Sequence, residues 1–172
     1  MRLDRRTLDK FLHLAADRLD GDWVVVGGMV LPLVGIEHRV TLDLDVAGPE
    51  GNRQTLELLE LASELGLAPE AVNQAAAFFL HRIDGWQDHL IPVRKGIRGT
   101  FHRPDATLYV LLKLGRLTET DLVDCRRYVD WAREHDEPPD AERLRTAVRK
   151  ELRARPPAER RARLETLLAS LA

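Results

Sequence analysis

Residues 27–46 read GGMVLPLVGIEHRVTLDLDV, and the fold turns on how the last six, Thr41 to Val46, are read. Leu42, Leu44 and Val46 alternate with Thr41, Asp43 and Asp45, the two-residue period of a strand with one buried face. Aspartate is disfavoured in strands, yet here two carboxylates leave the same face, roughly 7 Å apart along the chain. Like charges this close repel unless something positive stands between them. Mg²⁺ suits the place, because it takes oxygen ligands and typically uses one or two carboxylates together with substrate phosphates. Two metals about 4 Å apart can share such a pair and stabilise both ends of a phosphoryl displacement.

Upstream, DWVVVGG (22–28) reads as a short buried strand that ends in paired glycines, Gly27 and Gly28. Glycines at a strand-to-helix corner let the backbone come close to a ligand, and the helix start that follows points N–H groups at an anion. MVLPLVGI reads as that short helix, with Pro32 tolerated only within about its first turn. Arg39 and Thr41 lie just before the aspartates and offer a cation and a hydroxyl beside them. Alone, a Gly-Gly pair is usually a turn and a D-x-D an exposed strand edge. In order, joined by a short helix, they make a phosphate cradle beside a metal-holding strand, the two halves of a nucleoside triphosphate site.

Outward from this stretch, residues 4–19 carry Leu8, Phe11, Leu12, Ala15 and Leu19 at helical spacing. AGPEGN (47–52) is a turn, and RQTLELLELASELG (53–66) is an amphipathic helix closed by Gly66. The segment from Pro69 predicts a helix that passes into a strand near Phe79, and two strands flank Gly96 as a hairpin. From Asp105 everything predicts helix, broken at DEPPD (136–140) and at Pro156–Pro157. The pattern predicts an α+β chain, a small sheet followed by a helical C-terminal half. The expected division is residues 1–136 and a basic helical extension, 137–172.

The chain has 172 residues with 44% hydrophobic and 31% charged side chains, a globular composition. With Cys125 alone there is neither an intramolecular disulfide nor a cysteine-rich metal site. No apolar run reaches the roughly 18 residues of a membrane span, and the N-terminus is unlike a signal peptide; a cytoplasmic protein with no membrane partner is the expectation. The net charge of −2 conceals an asymmetry: residues 141–172 hold nine Arg or Lys against four Glu. A basic helical tail touches nucleic acid, or the acidic body of its own chain, or is simply a solvated face. On the last helix, Leu164, Leu167, Leu168 and Leu171 form an apolar stripe, a candidate dimer surface.

The order strand, Gly-Gly, short helix, R-x-T-x-D-x-D resembles the DNA polymerase β-like nucleotidyltransferase superfamily, and most of all the minimal bacterial nucleotidyltransferases related to AbiEii toxins of type IV toxin–antitoxin systems. Gly27, Gly28, Arg39, Thr41, Asp43 and Asp45 match that pattern in order. DATLYVLLKLGRLTETDLVDC (105–125) extends it: the group carries a helix lysine followed closely by an aspartate that opens the next helix, and Lys113, Arg116 and Asp121 stand at matching places. The resemblance covers about residues 22–130. It implies a small mixed or antiparallel sheet of the polymerase β type, Mg²⁺ or Mn²⁺ as cofactor, and an NTP as substrate. The acceptor it implies is tRNA, another RNA, or a cognate partner protein.

Lys113 also stands out unaided, as an ammonium among Leu108, Val110, Leu111, Leu112 and Leu114. It either contacts phosphate or snorkels to water from a buried stem. Asp121 closes the capping-box pattern TETD (118–121), so it opens a helix, holds Lys113, or does both. Wider superfamily members carry a third carboxylate on a neighbouring strand as general base. No clean equivalent stands here; the nearest candidates are Asp84 and Asp88, with His81 and His89 as substitutes, each of which reads equally as a surface loop residue, and Asp88 is the candidate base. The function expected is metal-dependent transfer of a nucleoside monophosphate to an acceptor hydroxyl. The alternative is a catalytically silent relative that binds nucleotide or a partner protein.

Overall fold

A computed structural model describes residues 5–36, 43–49, 53–68 and 71–172. Arg39, Thr41 and Leu42 lie outside the described residues. The chain is α+β and divides into two compact units, one ending at Pro104 and one beginning at Asp105.

In the first unit, helix α1 (Arg5–Arg18) buries Leu8, Phe11, Leu12, Ala15 and Ala16, as its apolar spacing dictates. Strand β1 (Gly21–Val26) is buried from Trp23 to Val26, the near-continuous burial of a central strand covered on both faces. A 3₁₀ turn (Gly27–Met29) leads into α2 (Val30–Leu33), where Pro32 is the third residue and costs no helical hydrogen bond. Strand β2 (Leu44–Ala47) alternates as expected, with Leu44 and Val46 fully buried and Asp45 half-buried, but it begins one residue after Asp43. Helix α3 (Arg53–Glu64) follows, and Gly66 takes the left-handed conformation beyond its end (φ +68°).

The segment after α3 differs from expectation. In place of a helix running into a strand, a two-residue strand β3 (Val72–Asn73) precedes helix α4 (Ala76–Leu80). Val72 pairs with Leu44 and Asn73 with Asp45, so the edge of the sheet claims residues whose local sequence favours helix. The Asn73 side-chain oxygen then accepts the Ala75 N–H at 2.9 Å, the local turn with which asparagine opens a new element. A 3₁₀ turn (Trp86–His89) leads to the expected hairpin of β4 (Leu90–Lys95) and β5 (Gly99–Pro104).

The sheet is mixed, in the order β3-β2-β1-β5-β4. β1 runs antiparallel to β2 and parallel to β5, pairing Val26 with Asp45 and Trp23 with Phe101. One face is the core: the Trp23 and Phe101 rings stack at 5.9 Å and Phe11 meets Phe101 edge-on at 6.4 Å, with Leu44, Val46, Leu58 and Leu61 around them. Such aromatic pairs add about 0.5–1.5 kcal/mol each beyond their buried area. The opposite face carries the other half of the alternation, Asp22, Val24 and Val26 on β1 and Asp45 and Ala47 on β2.

The second unit holds α5 (Ala106–Leu114), α6 (Glu119–Glu134), α7 (Ala141–Arg153) and α8 (Ala158–Ser170). Asp105, Thr118 and Asp140 cap the first three by accepting backbone N–H groups with their side chains. Residues 137–172 fold in one unit with α5 and α6. Leu164, Leu167 and Leu171 of the expected dimer stripe are fully buried in the chain, because α8 packs against α6 and α7. Among the described residues no helix is long and apolar enough to cross a membrane.

Candidate functional site

The Gly-Gly corner and the second aspartate meet. Gly27 has φ +68°, a backbone conformation that costs any L residue roughly 1–2 kcal/mol. A Cβ placed on it would collide with Oδ2 of Asp45. Glycine is therefore required twice, for its backbone angle and for the carboxylate seated against it. The pairing of Val26 with Asp45 in the β1–β2 ladder sets this contact, since it brings the first residue after β1 over the Asp45 side chain. The other carboxylate oxygen, Oδ1, accepts a 3.1 Å hydrogen bond from Nδ2 of Asn73. Asp43 is exposed immediately before β2.

The Asp45 carboxylate beside a backbone corner, with Asp43 two residues before it on the chain, offers oxygen donors of the kind a hard divalent cation takes. Among the described residues no three His, Cys, Asp or Glu side chains group into a metal site, and Mg²⁺ typically takes one or two carboxylates together with substrate phosphates and water. Asp43 and Asp45 fit that way of holding Mg²⁺ or Mn²⁺. The 3₁₀ turn and four-residue α2 are too short to build much of a helix dipole. What the corner offers an anion is the backbone N–H groups of a helix start.

Asn73 was not legible in the sequence. It stands on the strand beside Asp45, where the resemblance calls for a third carboxylate, and an amide accepts no proton there. Only the sheet register reveals it, because a two-residue strand leaves no periodicity to read. Asp88 lies in the Trp86–His89 turn, exposed like Asp84 and His81.

In the second unit, Lys113 and Asp121 pair with each other. The Lys113 side chain is 9% exposed and does not reach into water as a snorkelling lysine would. Its Nζ donates to Asp121 Oδ1 at 2.7 Å, stands 3.5 Å from Asp124 Oδ2, and lies 5.1 Å from the Tyr109 ring centre. Asp121 also accepts from Arg116 Nε (2.9 Å), from the Thr118 hydroxyl (2.9 Å) and from the Thr118 backbone N–H (3.0 Å), while the Thr118 hydroxyl accepts the Asp121 N–H. It is thus cap and counter-ion together. Burial opposes its ionisation, but the hydrogen bonds from Arg116 and Lys113 and the Lys113 charge outweigh that and hold the carboxyl well below the usual range.

Cys125 is buried beside this cluster. Burial pushes its thiol up to about 12, outweighing the lowering by the Lys113 charge. Three tail arginines also have structural work. Arg160 Nη2 donates to the Leu114 carbonyl (2.8 Å), Arg163 Nε to the Leu117 carbonyl (2.6 Å) and Arg145 Nη1 to the Leu171 carbonyl (2.8 Å), each near a helix C-terminus. Arg149, Lys150, Arg153 and Arg155 remain exposed.

Comparison with curated proteins and with solved structures returned no match. Residues 5–133 match a family model described as "Nucleotidyltransferase of unknown function (DUF6036)", a span that includes the Gly-Gly corner, Asp43 and Asp45, and the Lys113–Asp121 pair. The chain belongs to that nucleotidyltransferase family.

Proposed function

We propose that this protein transfers a nucleoside monophosphate from an NTP to an acceptor hydroxyl in an Mg²⁺- or Mn²⁺-dependent reaction. The observation that carries this reading is the apposition of Gly27 and Asp45, which joins a backbone corner suited to phosphate to a carboxylate suited to a metal. Asp43 and Asp45 would hold the cation, which supplies positive charge against the charge that develops on the transferring phosphate. Gly27 and Gly28 present backbone N–H groups to the triphosphate, and Arg39 and Thr41, outside the described residues, are assigned to the same phosphates. Lys113, oriented by Asp121, is assigned to charge neutralisation, and Asp88 to the acceptor proton. In the reaction the acceptor oxygen bonds to the α-phosphorus, the bond to the bridging oxygen breaks, and pyrophosphate leaves. Catalysis of this kind rests on positioning and electrostatics.

The acceptor class favoured is RNA, tRNA included, on the strength of the exposed Arg149, Lys150, Arg153 and Arg155. A cognate protein of a toxin–antitoxin pair is the other acceptor or partner that the resemblance supports.

A second reading has its own observation. The amide of Asn73 beside Asp45 favours a relative that binds nucleotide without transferring it. Incubating the protein with Mg²⁺, each α-labelled NTP and total tRNA separates the two. Label on the acceptor supports transfer; metal-dependent NTP binding with no label supports the silent binder.

A further inference from the structure

The sheet face that carries Asp45 has a second feature. A cavity of about 280 Å³ opens over it, lined by Asp22 and Val24 of β1, Ala47 of β2, Leu80 and His81 at the end of α4, and Trp86. Val24 and Ala47 are register partners, and Val26 and Asp45 are the next pair on that face. The cavity floor is therefore two strand residues from Asp45, roughly 7 Å. That is the place for a group one sugar away from a phosphate held at the Gly27–Asp45 corner.

The lining has the chemistry of a flat aromatic ligand. Val24 and Ala47 are 2% and 3% exposed and give an apolar floor. The His81 and Trp86 rings stand 5.4 Å apart, tilted by 35°, and give a π wall. Asp22 brings a carboxylate that is 77% exposed and 4.0 Å from Nδ1 of His102, a hydrogen-bond acceptor at the rim. The volume lies just below that of most ligand sites, which run roughly 300–1,000 Å³.

From this juxtaposition we infer that the cavity binds the nucleobase of the NTP, stacked on Trp86 and His81, with Asp22 selecting bases that carry an exocyclic amino group. A carboxylate accepts hydrogen bonds and donates none. Adenine, guanine and cytosine each offer it an amino group, whereas uracil offers one N–H between two carbonyls that repel it. The inference rests on the nucleotidyl-transfer reading and adds to it the base site and a discrimination against uracil.

Calorimetric titration of the full chain with ATP, GTP, CTP and UTP in Mg²⁺, and with inorganic tripolyphosphate, tests it. The wild type should bind UTP most weakly. Trp86→Ala should lose roughly 5- to 150-fold in affinity for every NTP, the range for one stacked base, and nothing for tripolyphosphate. Asp22→Asn should bring UTP level with the others. His81→Ala, at an exposed position, repeats the stacking test should Trp86→Ala fold poorly. NTP affinities unchanged in both ring variants would overturn the base site while leaving the triphosphate site standing. A wild type that binds neither NTP nor tripolyphosphate would overturn the nucleotidyl-transfer reading, and the base site with it.

Discussion

Gly27 and Asp45 occupy each other's space: the position a side chain would take on Gly27 already holds the Asp45 carboxylate. No nearby substitution conserves both. Gly27→Ala must pay for a positive φ, about 1–2 kcal/mol, and must also push Asp45 aside. The expected outcome is a folded protein with a lower thermal midpoint and no metal-dependent NTP binding. Normal binding in the alanine variant would separate the corner from the site.

Removing either member of the Lys113–Asp121 pair should destabilise the second unit strongly, by about 3–5 kcal/mol for a buried pair broken on one side. Asp121→Ala should cost more than Lys113→Met, because Asp121 also serves Arg116 and both donors of Thr118. Urea unfolding of the two variants gives the order directly. Equal midpoints would mean that the cap and the Arg116 bonds contribute nothing measurable.

The same carboxyl sets an acid limit. Its pKa in the folded chain lies below its ordinary 3.8, so the charged form is the one the native state binds. The stability it contributes is complete above the ordinary value and is lost as pH falls through the depressed one. The stability gap between wild type and Asp121→Asn should therefore be constant at neutral pH and narrow below about pH 4. A gap that is unchanged down to pH 2 would contradict the assignment.

Much of this was legible in the sequence because the signals were local. The spacing of Leu8, Phe11, Leu12 and Ala15, the cap at Thr118, and the breaks at DEPPD and Pro156–Pro157 each depend on a few adjacent residues, and the structure keeps them all. What was not legible depends on pairing across the sheet. β3 is a strand only because β2 lies beside it, so Ala71 to Leu80 read as helix followed by strand when the order is the reverse. Asn73 against Asp45 is likewise a consequence of register, which alternation alone does not fix. The leucines of α8 failed for a related reason, since an apolar stripe has the same pattern whether its own chain or a second copy covers it.

Cys125 should be inert in the native state. With its thiol pushed up to about 12, alkylation at pH 8 should be slow and should accelerate only under unfolding conditions. Fast stoichiometric labelling of folded protein would mean that the α6 core opens readily.

The arginines of the tail divide by role. Arg160→Ala should lower stability, since its guanidinium serves the Leu114 carbonyl and Glu151. Arg149→Ala with Arg153→Ala, both exposed, should leave stability within about 0.5 kcal/mol. If RNA is the acceptor, that double variant should weaken RNA binding and flatten its salt dependence. An unchanged salt slope would remove the tail as an RNA contact.

The most direct test is transfer itself. Purified protein with Mg²⁺ or Mn²⁺, α-labelled NTPs and tRNA should label the acceptor, and Asp43→Asn with Asp45→Asn should abolish labelling while the protein stays folded. Labelling that survives in the double variant would contradict the assignment of Asp43 and Asp45 as the metal-holding pair.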